Sequence, residues 1–243
     1  MKHPPVEQLA ERGESKLRTE TIVLDLEKAD RNDENKQDTA CKTCSTQNRE
    51  KSAYQVVVKR VFDIVVSATG LLVLGLPMLL IALLIRLDSC GPAIFKQERI
   101  GKDGKVFVMY KFRTMRLDAP NNVATNDLTN ASVYITAFGR FLRNTSIDEL
   151  PQLINVLQGE MSLVGFRPVC LTEARLNQYR KDLGVFDVKP GMTGLAQVSG
   201  RDNVNAEEKA SMDAEYAQKQ SVWLDLWCLG KTLGTVVSQR GVK

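Results

Sequence analysis

The longest apolar stretch of the chain lies in its first half. It runs KRVFDIVVSATGLLVLGLPMLLIALLIRLD from Lys59 to Asp88, and the only charge between its basic ends is Asp63. About 20 apolar residues suffice to span a bilayer as a helix, and helices of globular cores are rarely apolar on every side for so long. The pattern therefore predicts a membrane helix over residues 56–88.

The path of this helix stays open. Pro77 lies near its middle, where a proline removes a backbone hydrogen bond and kinks the helix, and Gly70 and Gly75 loosen the same region. Basic residues flank both ends, so the positive-inside rule gives no orientation. A re-entrant helix that bends and returns to the same face satisfies both flanks, with Ser67 and Thr69 available to bond freed backbone groups. From physics alone, the spanning and re-entrant paths are equally favoured.

Beyond the apolar segment, shorter periodic stretches alternate with polar turns. Residues 91–115 predict a β-hairpin that turns at Asp103-Gly104. The later stretches predict, in order, a polar loop over 119–130, helices over 135–143 and 151–157, a short strand in EMSLVGFRPVC, a helix in LTEARLNQYRKDL, a glycine-rich loop in KPGMTGLAQVSGR and one closing helix from DAEYAQ onward. Trp223 and Trp227 lie on the apolar side of that helix, either in a core or at a membrane interface.

Together these elements predict three regions. Residues 1–55 are rich in Lys, Glu, Asp, Asn, Thr and Gln, a composition typical of a disordered leader. No apolar signal-peptide core begins the chain, so we expect no ordinary secretion. The membrane helix follows over 56–88, and residues 89–243 form a small, mostly helical domain with a short hairpin. The predicted fold class is a membrane-associated α/β (α+β) protein.

Composition narrows the chemistry. The 243 residues carry a formal charge of +4, which suits an anionic membrane surface or a phosphate-rich substrate, and only 6% are aromatic, which disfavours a nucleic-acid binder. Cys41-x-x-Cys44 is half of a zinc motif, and no second pair or histidine couple accompanies it. The one histidine is His3. We therefore expect any chemistry to use Asp, Glu, Lys, Arg or hydroxyl groups.

The stretch FLRNTSIDELPQLINVL brings two adjacent carboxylates, Asp148 and Glu149, to the start of a predicted helix. Ser146-x-x-Glu149 also fits an ordinary capping box. If Ser146 is the N-cap, Pro151 falls in the second turn; if Leu150 is the N-cap, Pro151 takes the favoured first position. In both cases the helix start favours ionised carboxylates, and an ionised, immobilised aspartate is a credible nucleophile toward phosphorus.

Cations recur beside glycines and turns in the globular part, as they do where phosphate oxygens are held. These sites are Arg99-Ile-Gly101, Lys111-Phe-Arg113, Arg143, Phe166-Arg167-Pro168, Lys189-Pro-Gly191 and Gly200-Arg201. A carboxylate pair near such cations suits a Mg²⁺-dependent reaction on a phosphate ester, since Mg²⁺ uses one or two carboxylates plus substrate phosphates.

From Lys59 onward, about three quarters of the chain resembles the bacterial sugar transferases, the monotopic phosphoglycosyl transferases. The resemblance rests on the apolar helix broken at Pro77 and on four further blocks in family order. These are GPAIFKQERIGKDGKVFVMYKFRTM, LRNTSIDELPQLINVLQGEMSLVGFRP, KPGMTGLAQVSGR and YAQKQSVWLDLWCLGKTLGTVVSQRG.

The resemblance implies an enzyme that moves a sugar-1-phosphate from a UDP-sugar to polyprenyl (undecaprenyl) phosphate and releases UMP. Asp148 matches the nucleophile and Glu149 its partner, associated with Mg²⁺. Lys111, Arg143 and Arg167 match cations around the carboxylates and phosphates, and Arg201 matches one near the nucleotide. We add Arg113 to this predicted phosphate-binding set. The resemblance also implies a re-entrant helix, with both ends and the catalytic domain on the cytoplasmic face of the bacterial inner membrane. The partners are then the two substrates and the lipid bilayer, with no nucleic acid, and a homo-oligomer stays open.

One position departs from the family pattern. The family commonly reads Gly-Pro-Arg-Pro where this chain has Gly165-Phe166-Arg167-Pro168. Loss of that proline predicts a looser loop around Arg167. This motivates an alternative hypothesis, in which the chain is a catalytically impaired, membrane-anchored binding protein of the same fold.

Overall fold

The computed structural model describes residues 57–119, 131–199 and 205–238, with no side-chain detail for Ala131 and 236–238. The predicted leader, most of the predicted polar loop and Arg201 lie outside the described residues.

Helix α1 (Lys59–Asp88) confirms the helix predicted over the apolar segment and continues through Pro77. In the described part of the chain it is the one helix long and apolar enough to cross a membrane. Lys59, Asp63 and Ser67 are buried on one face at helical spacing, whereas leucines on other faces are open, such as Leu72 at 85% exposure. One side of α1 therefore packs on the protein while most of its apolar surface stays uncovered.

The predicted hairpin is confirmed. Strands β1 (Ile94–Ile100) and β2 (Val106–Phe112) pair antiparallel. Asp103 and Gly104 both take positive φ angles, 56° and 71°, in the tight turn between them. Phe107 and Met109 are buried while Val106 and Val108 beside them are exposed, as expected where one face of a strand is covered.

Five helices follow the hairpin among the described residues. They are α2 (Ala137–Asn144), α3 (Gln152–Gln158), α4 (Ala174–Asp182), α5 (Ala206–Lys219) and α6 (Val222–Ser238). Single helical turns also form at Ala131–Tyr134 and Leu195–Val198.

The prediction of one closing helix is wrong, because α5 and α6 are separate. Gln220 leaves the helical conformation, with ψ at 123°. The Ser221 hydroxyl then accepts a hydrogen bond from the Leu224 N–H, which caps the start of α6. The break lets the Tyr216 hydroxyl on α5 donate to the Asp225 carboxylate on α6 at 2.7 Å.

The predicted short strand is present, and part of the predicted glycine-rich loop forms a second short strand. Strands β3 (Ser162–Val164) and β4 (Gly191–Thr193) pair in parallel. A Cβ on Gly191 would lie 2.1 Å from the Gly165 nitrogen, and one on Gly194 would lie 1.9 Å from the Gly165 oxygen. These glycines therefore allow close backbone packing.

Among the described residues, three hydrophobic clusters hold the domain together. The largest lies between the hairpin, α3, β3, α5 and α6, and includes Phe107, Val156 and Tyr216. A second joins the end of α1 to β2 and α2 through Ile85, Phe112 and Leu142. The third is built around Phe166.

Both ends of α1 are bound to this domain by polar contacts. At its start, Lys59 forms a buried ion pair with Asp225, and the Asp63 carboxylate accepts a hydrogen bond from the Leu163 N–H at 3.0 Å. At its end, the Arg113 guanidinium donates to the carbonyls of Ser89 and Cys90. Each end of the helix is thereby tied to the same domain.

Candidate active site

Asp148 and Glu149 lie in a 3₁₀ turn, Ile147–Glu149, between α2 and α3. Ile147 and Leu150, on either side of the pair, pack against the second hydrophobic cluster. Ser146, which opens the turn, has a φ of 57°, in a left-handed region that few non-glycine residues adopt. This backbone holds the two carboxylates at the surface of the domain, beside the end of β2.

Neither predicted helix start is correct. Helix α3 begins at Gln152 with Pro151 as its N-cap, and the Ser146 side chain makes no capping hydrogen bond. The capping box is therefore not formed, and the Glu149 carboxylate is directed to cations from distant parts of the chain. The carboxylates owe their environment to those cations, which sequence position alone could not show.

Glu149 is held by two charge-assisted hydrogen bonds. Its Oε1 accepts from Lys111 Nζ and from Arg167 Nη2, each at 2.8 Å. Burial raises the pKa of Glu149, but the positive charges of Arg167 and Lys111 outweigh burial and hold that pKa well below its ordinary value. Glu149 is therefore a fixed, ionised carboxylate.

Asp148 has a different environment. Its carboxylate makes no hydrogen bond to the described residues. Burial raises its pKa, and the neighbouring Glu149 adds to the rise, while Lys111, Arg143 and Arg167 act in the opposite direction. Adjacent carboxylates whose environments push their pKa values apart are typical of sites in which the two groups have different tasks.

Lys111 reaches Glu149 because Asn155 fixes strand β2 on helix α3. The Asn155 amide accepts from the Tyr110 N–H at 3.0 Å and donates to the Val108 carbonyl at 2.7 Å. This buried side chain satisfies strand groups that β1 leaves free. Nothing in the sequence pattern distinguishes Asn155 from an ordinary helix residue.

The structure describes two other predicted cations, Arg143 and Arg113. Arg143 faces the carboxylates and Arg113 does not. Arg143 Nε donates to Thr114 Oγ1 at 2.8 Å; burial lowers its pKa, and the attraction of Asp148 partly restores it. Arg113 is 6% exposed, and its guanidinium donates hydrogen bonds at the end of α1. Its placement does not support the predicted role in phosphate binding, and we exclude it from the candidate site.

Arg99 is a further cation of the site that the predicted set omitted. It lies at the end of β1 and donates to Gln97 Oε1 at 2.6 Å and to the Pro168 carbonyl at 3.4 Å. Burial lowers its pKa, and the positive charge of Arg167 contributes to the fall. The Arg99-Ile-Gly101 pattern, a cation beside a glycine, could have identified Arg99 as a site residue from the sequence. Lys189, from a similar pattern, instead neighbours the cations at the start of α1.

Phe166 does not loosen the loop as expected. Its side chain is 1% exposed and packs in the third cluster, and its carbonyl accepts a hydrogen bond from the Gly191 N–H at 2.8 Å. Arg167 therefore follows directly after Phe166, which is anchored through both its side chain and its backbone.

The donors present fit a magnesium ion. Both hydrogen bonds to Glu149 reach the same oxygen, so its other oxygen and the Asp148 carboxylate remain as hard donors. No group of three or more metal-binding side chains occurs in the described ranges. Mg²⁺ in proteins commonly takes one or two carboxylates and completes its shell with water and phosphate.

Comparisons with known proteins identify the family of the chain. The family model described as "Bacterial sugar transferase" matches residues 54–239. A "Galactosyl transferase CpsE" of Streptococcus agalactiae is 40% identical over 200 residues, which cover 77% of this chain and 44% of that protein. A "UDP-galactose-lipid carrier transferase" of Erwinia amylovora is 41% identical over 199 residues, covering 76% and 41%.

An Escherichia coli K12 protein named "UDP-glucose:undecaprenyl-phosphate glucose-1-phosphate transferase" is 42% identical over 179 residues, covering 70% of this chain and 38% of its own length. The matched region of this chain thus spans less than half the length of each of these relatives. The family model covers most of the chain, and the chain belongs to the bacterial sugar transferase family.

Proposed function

We propose that this protein transfers a sugar-1-phosphate from a UDP-sugar to polyprenyl (undecaprenyl) phosphate and releases UMP. The names of the Erwinia and E. coli relatives describe a UDP-sugar donor and a lipid or undecaprenyl-phosphate acceptor. The observation that carries the proposal is the contrast within the carboxylate pair. Glu149 is fixed by two cations, whereas Asp148 beside it has no hydrogen bond to the described residues.

In the proposed first step, an Asp148 oxygen attacks the phosphorus that carries the sugar. A bond forms between aspartate and phosphorus, and the bond from that phosphorus to the bridging oxygen breaks, so UMP leaves with the electron pair. Asp148 suits this role because its carboxylate has no hydrogen bonds to break before it attacks. Lys111, Arg143 and Arg167 lie near enough to stabilise charge on the phosphoryl oxygens.

In the second step, a phosphate oxygen of the polyprenyl phosphate attacks the same phosphorus. The bond to Asp148 breaks, the carboxylate is restored, and the product is a polyprenyl diphosphate sugar. Mg²⁺, held by Asp148 and Glu149, would neutralise the diphosphate of the donor. This reaction would begin the membrane stage of exopolysaccharide, capsule, O-antigen or glycoconjugate assembly.

The lipid acceptor requires the site to lie at a membrane, and α1 supports such a location. Both of its ends are tied to the same domain, by Lys59 and Asp63 at the start and by Arg113 at the end. A helix that crossed the bilayer would need to carry one end away from that domain. We therefore favour a re-entrant helix that bends near Pro77 and keeps both ends on the cytoplasmic face of the bacterial inner membrane.

The alternative of an impaired binding protein loses its main motivation. It rested on a loosened Arg167, and Phe166 is anchored in a core cluster with Arg167 bonded to Glu149. Tight binding of UDP-sugars without release of UMP would restore that alternative.

A panel of UDP-sugars tests the proposed function directly. Detergent-solubilised protein with Mg²⁺ and polyprenyl phosphate should release UMP from at least one sugar, and UDP-galactose and UDP-glucose are the first two to try. Asp148→Asn should lower the rate by at least about 10³-fold, because an amide is a poor nucleophile toward phosphorus. UMP release by Asp148→Asn at the wild-type rate would rule out the covalent route.

A further inference from the structure

We propose that Phe166, Arg180 and Asp213 act together as a positioning unit for Arg167, and that this unit keeps the Arg167 guanidinium on Glu149. Among the described residues, no hydrogen bond or ion pair joins any of the three to the carboxylate pair. The proposal rests on the proposed function for its kinetic consequences. Its structural consequence, the immobility of Arg167, can be measured independently of activity.

Arg167 needs such support because it is a surface side chain. It is 48% exposed and bonds through Nη2 to Glu149 at 2.8 Å. Long arginine side chains lose considerable rotamer freedom when they are fixed, and exposed ion pairs alone offset little of that loss. The two neighbours of Arg167, Phe166 and Pro168, are both buried. The position of the guanidinium is therefore set largely by how firmly its backbone is held.

The Phe166 ring is held on two sides. Phe186 packs against it edge-on, with centroids 5.5 Å apart and planes at 71°. The Arg180 guanidinium lies over it, with Cζ 5.1 Å from the ring centroid. A cation over an aromatic face is attracted by the ring, more strongly where water is excluded, and Arg180 is 3% exposed.

Asp213 makes this burial of Arg180 possible. Both Nε and Nη2 of Arg180 donate to Asp213 Oδ2, at 3.0 and 2.6 Å, and Asp213 is 2% exposed. The ion pair joins α4 to α5 directly above the ring. A buried ion pair is often no more stabilising than apolar residues of the same volume. Its directional bonds do, however, fix one arrangement of the two helices over Phe166.

The backbone completes the support. The Phe166 carbonyl accepts from the Gly191 N–H, and the Gly165 N–H donates to the Thr193 carbonyl, both at 2.8 Å. The packing of the side chain and the hydrogen bonds of the main chain therefore both fix Phe166, the residue before Arg167. A proline at position 166 would restrict the backbone alone, whereas Phe166 uses the packing of α4 and α5.

A double-mutant cycle separates positioning from general stability. Phe166→Leu should lower kcat/KM for the UDP-sugar about tenfold, since a displacement of about 1 Å can cost as much as 100-fold. In an Arg167→Ala background, Phe166→Leu should lower it less than about twofold further, because the effect passes through Arg167. Equal losses in both backgrounds would show a merely structural role and overturn the proposal.

Two further variants test whether misfolding, instead of lost positioning of Arg167, explains a fall in kcat/KM. Val185→Ala opens a cavity in the same cluster and should lower Tm without the full kinetic loss. The pair Arg180→Met with Asp213→Leu removes the ion pair but keeps apolar volume, so Tm should stay within a few degrees while kcat/KM falls as in Phe166→Leu. Wild-type kinetics in that double variant would contradict the proposal.

Modification of Arg167 by phenylglyoxal, followed by peptide mass spectrometry, needs no activity. Arg167 should react at least about threefold faster in Phe166→Leu and in the double variant than in the wild type, because a guanidinium released from its carboxylate is more accessible. An unchanged rate would overturn the proposal. If no UDP-sugar yields UMP in the wild type, the proposed function fails while this rate still decides the positioning role.

Discussion

At the scale of single residues, the site depends on the different directions of two neighbouring carboxylates. A 3₁₀ turn has three residues per turn, so successive side chains point about 120° apart. Glu149 can therefore meet Lys111 and Arg167 while Asp148 faces another direction. An ordinary strand or a longer helix would place the pair differently with respect to the same cations.

Replacement of Glu149 tests its assigned role at this scale. Glu149→Gln removes the charge that holds Lys111 and Arg167, and charge-assisted hydrogen bonds each contribute about 1.5–3 kcal/mol. We expect the rate of UMP release to fall roughly 10- to 100-fold and the Mg²⁺ requirement to rise. Glu98→Gln, at an exposed position on β1, is the matched control and should retain the wild-type rate. A Glu149→Gln protein as active as that control would contradict the role.

The residue types of the site could be read from the sequence, but not its pairings. Asp148 and Glu149 stand out as adjacent carboxylates near cations. The contact of Glu149 with Lys111 joins residues 38 positions apart, which no local pattern reveals. The left-handed Ser146 was equally hidden, because local preference predicts a helix cap there and the tertiary packing of Ile147 and Leu150 decides otherwise.

At the scale of elements, the end of strand β2 separates two basic residues with different tasks. Lys111 lies within β2 and points to the carboxylates, whereas Arg113 follows the last strand residue and donates to the end of α1. Sequence analysis grouped the two as Lys111-Phe-Arg113, one of several sets of cations near glycines and turns that could hold phosphate. The strand ends between them, and the structure brings only Lys111 to the carboxylates.

Arg113→Gln tests this assignment. The substitution leaves the Ser89 and Cys90 carbonyls with a weaker donor at best, so the free energy of unfolding should fall by about 1–3 kcal/mol. The KM for the UDP-sugar should stay within about twofold of the wild type, since no substrate contact is removed. Thermal unfolding in detergent and initial-rate kinetics measure the two quantities. A severalfold rise in KM with an unchanged Tm would restore Arg113 to the substrate site.

Element predictions succeeded where the local signal was strong. The hairpin followed from alternating residues around Asp103-Gly104, and α1 followed from its apolar length. The break between α5 and α6 was missed because Gln220 is not a helix breaker. Its non-helical backbone is coupled to the contact of Tyr216 with Asp225, a contact between neighbouring helices that the helical pattern does not show.

At the scale of the whole molecule, large apolar surfaces stay uncovered. On α1, Leu72 and Leu76 are 85% and 74% exposed, and on α6 Trp223 and Trp227 are 81% and 45% exposed. The two tryptophans are therefore not core residues, and their placement at a membrane interface stays a prediction. Exposed apolar surface of this extent is typical of membrane contact, and indole rings favour the interface between lipid and water.

Cysteine labelling tests the re-entrant path. Cys90 is exposed just beyond the end of α1, and Cys44 precedes the helix in the sequence. Variants that keep one of these two thiols should resist an impermeant maleimide in intact cells and react after the cells are opened, because a re-entrant helix leaves both on the cytoplasmic side. An exported protein with an exposed thiol serves as the positive control. Labelling of one thiol and protection of the other in intact cells would indicate a spanning helix.

The covalent step is the central claim, and intact-protein mass spectrometry tests it most directly. Protein incubated with its UDP-sugar and Mg²⁺, without polyprenyl phosphate, should release one UMP per molecule and gain the mass of one sugar phosphate. That mass should map to the peptide with Asp148 and disappear when polyprenyl phosphate is added. Steady UMP release that depends on the lipid, with no mass gain before it is added, would instead indicate direct attack by the acceptor and contradict the account.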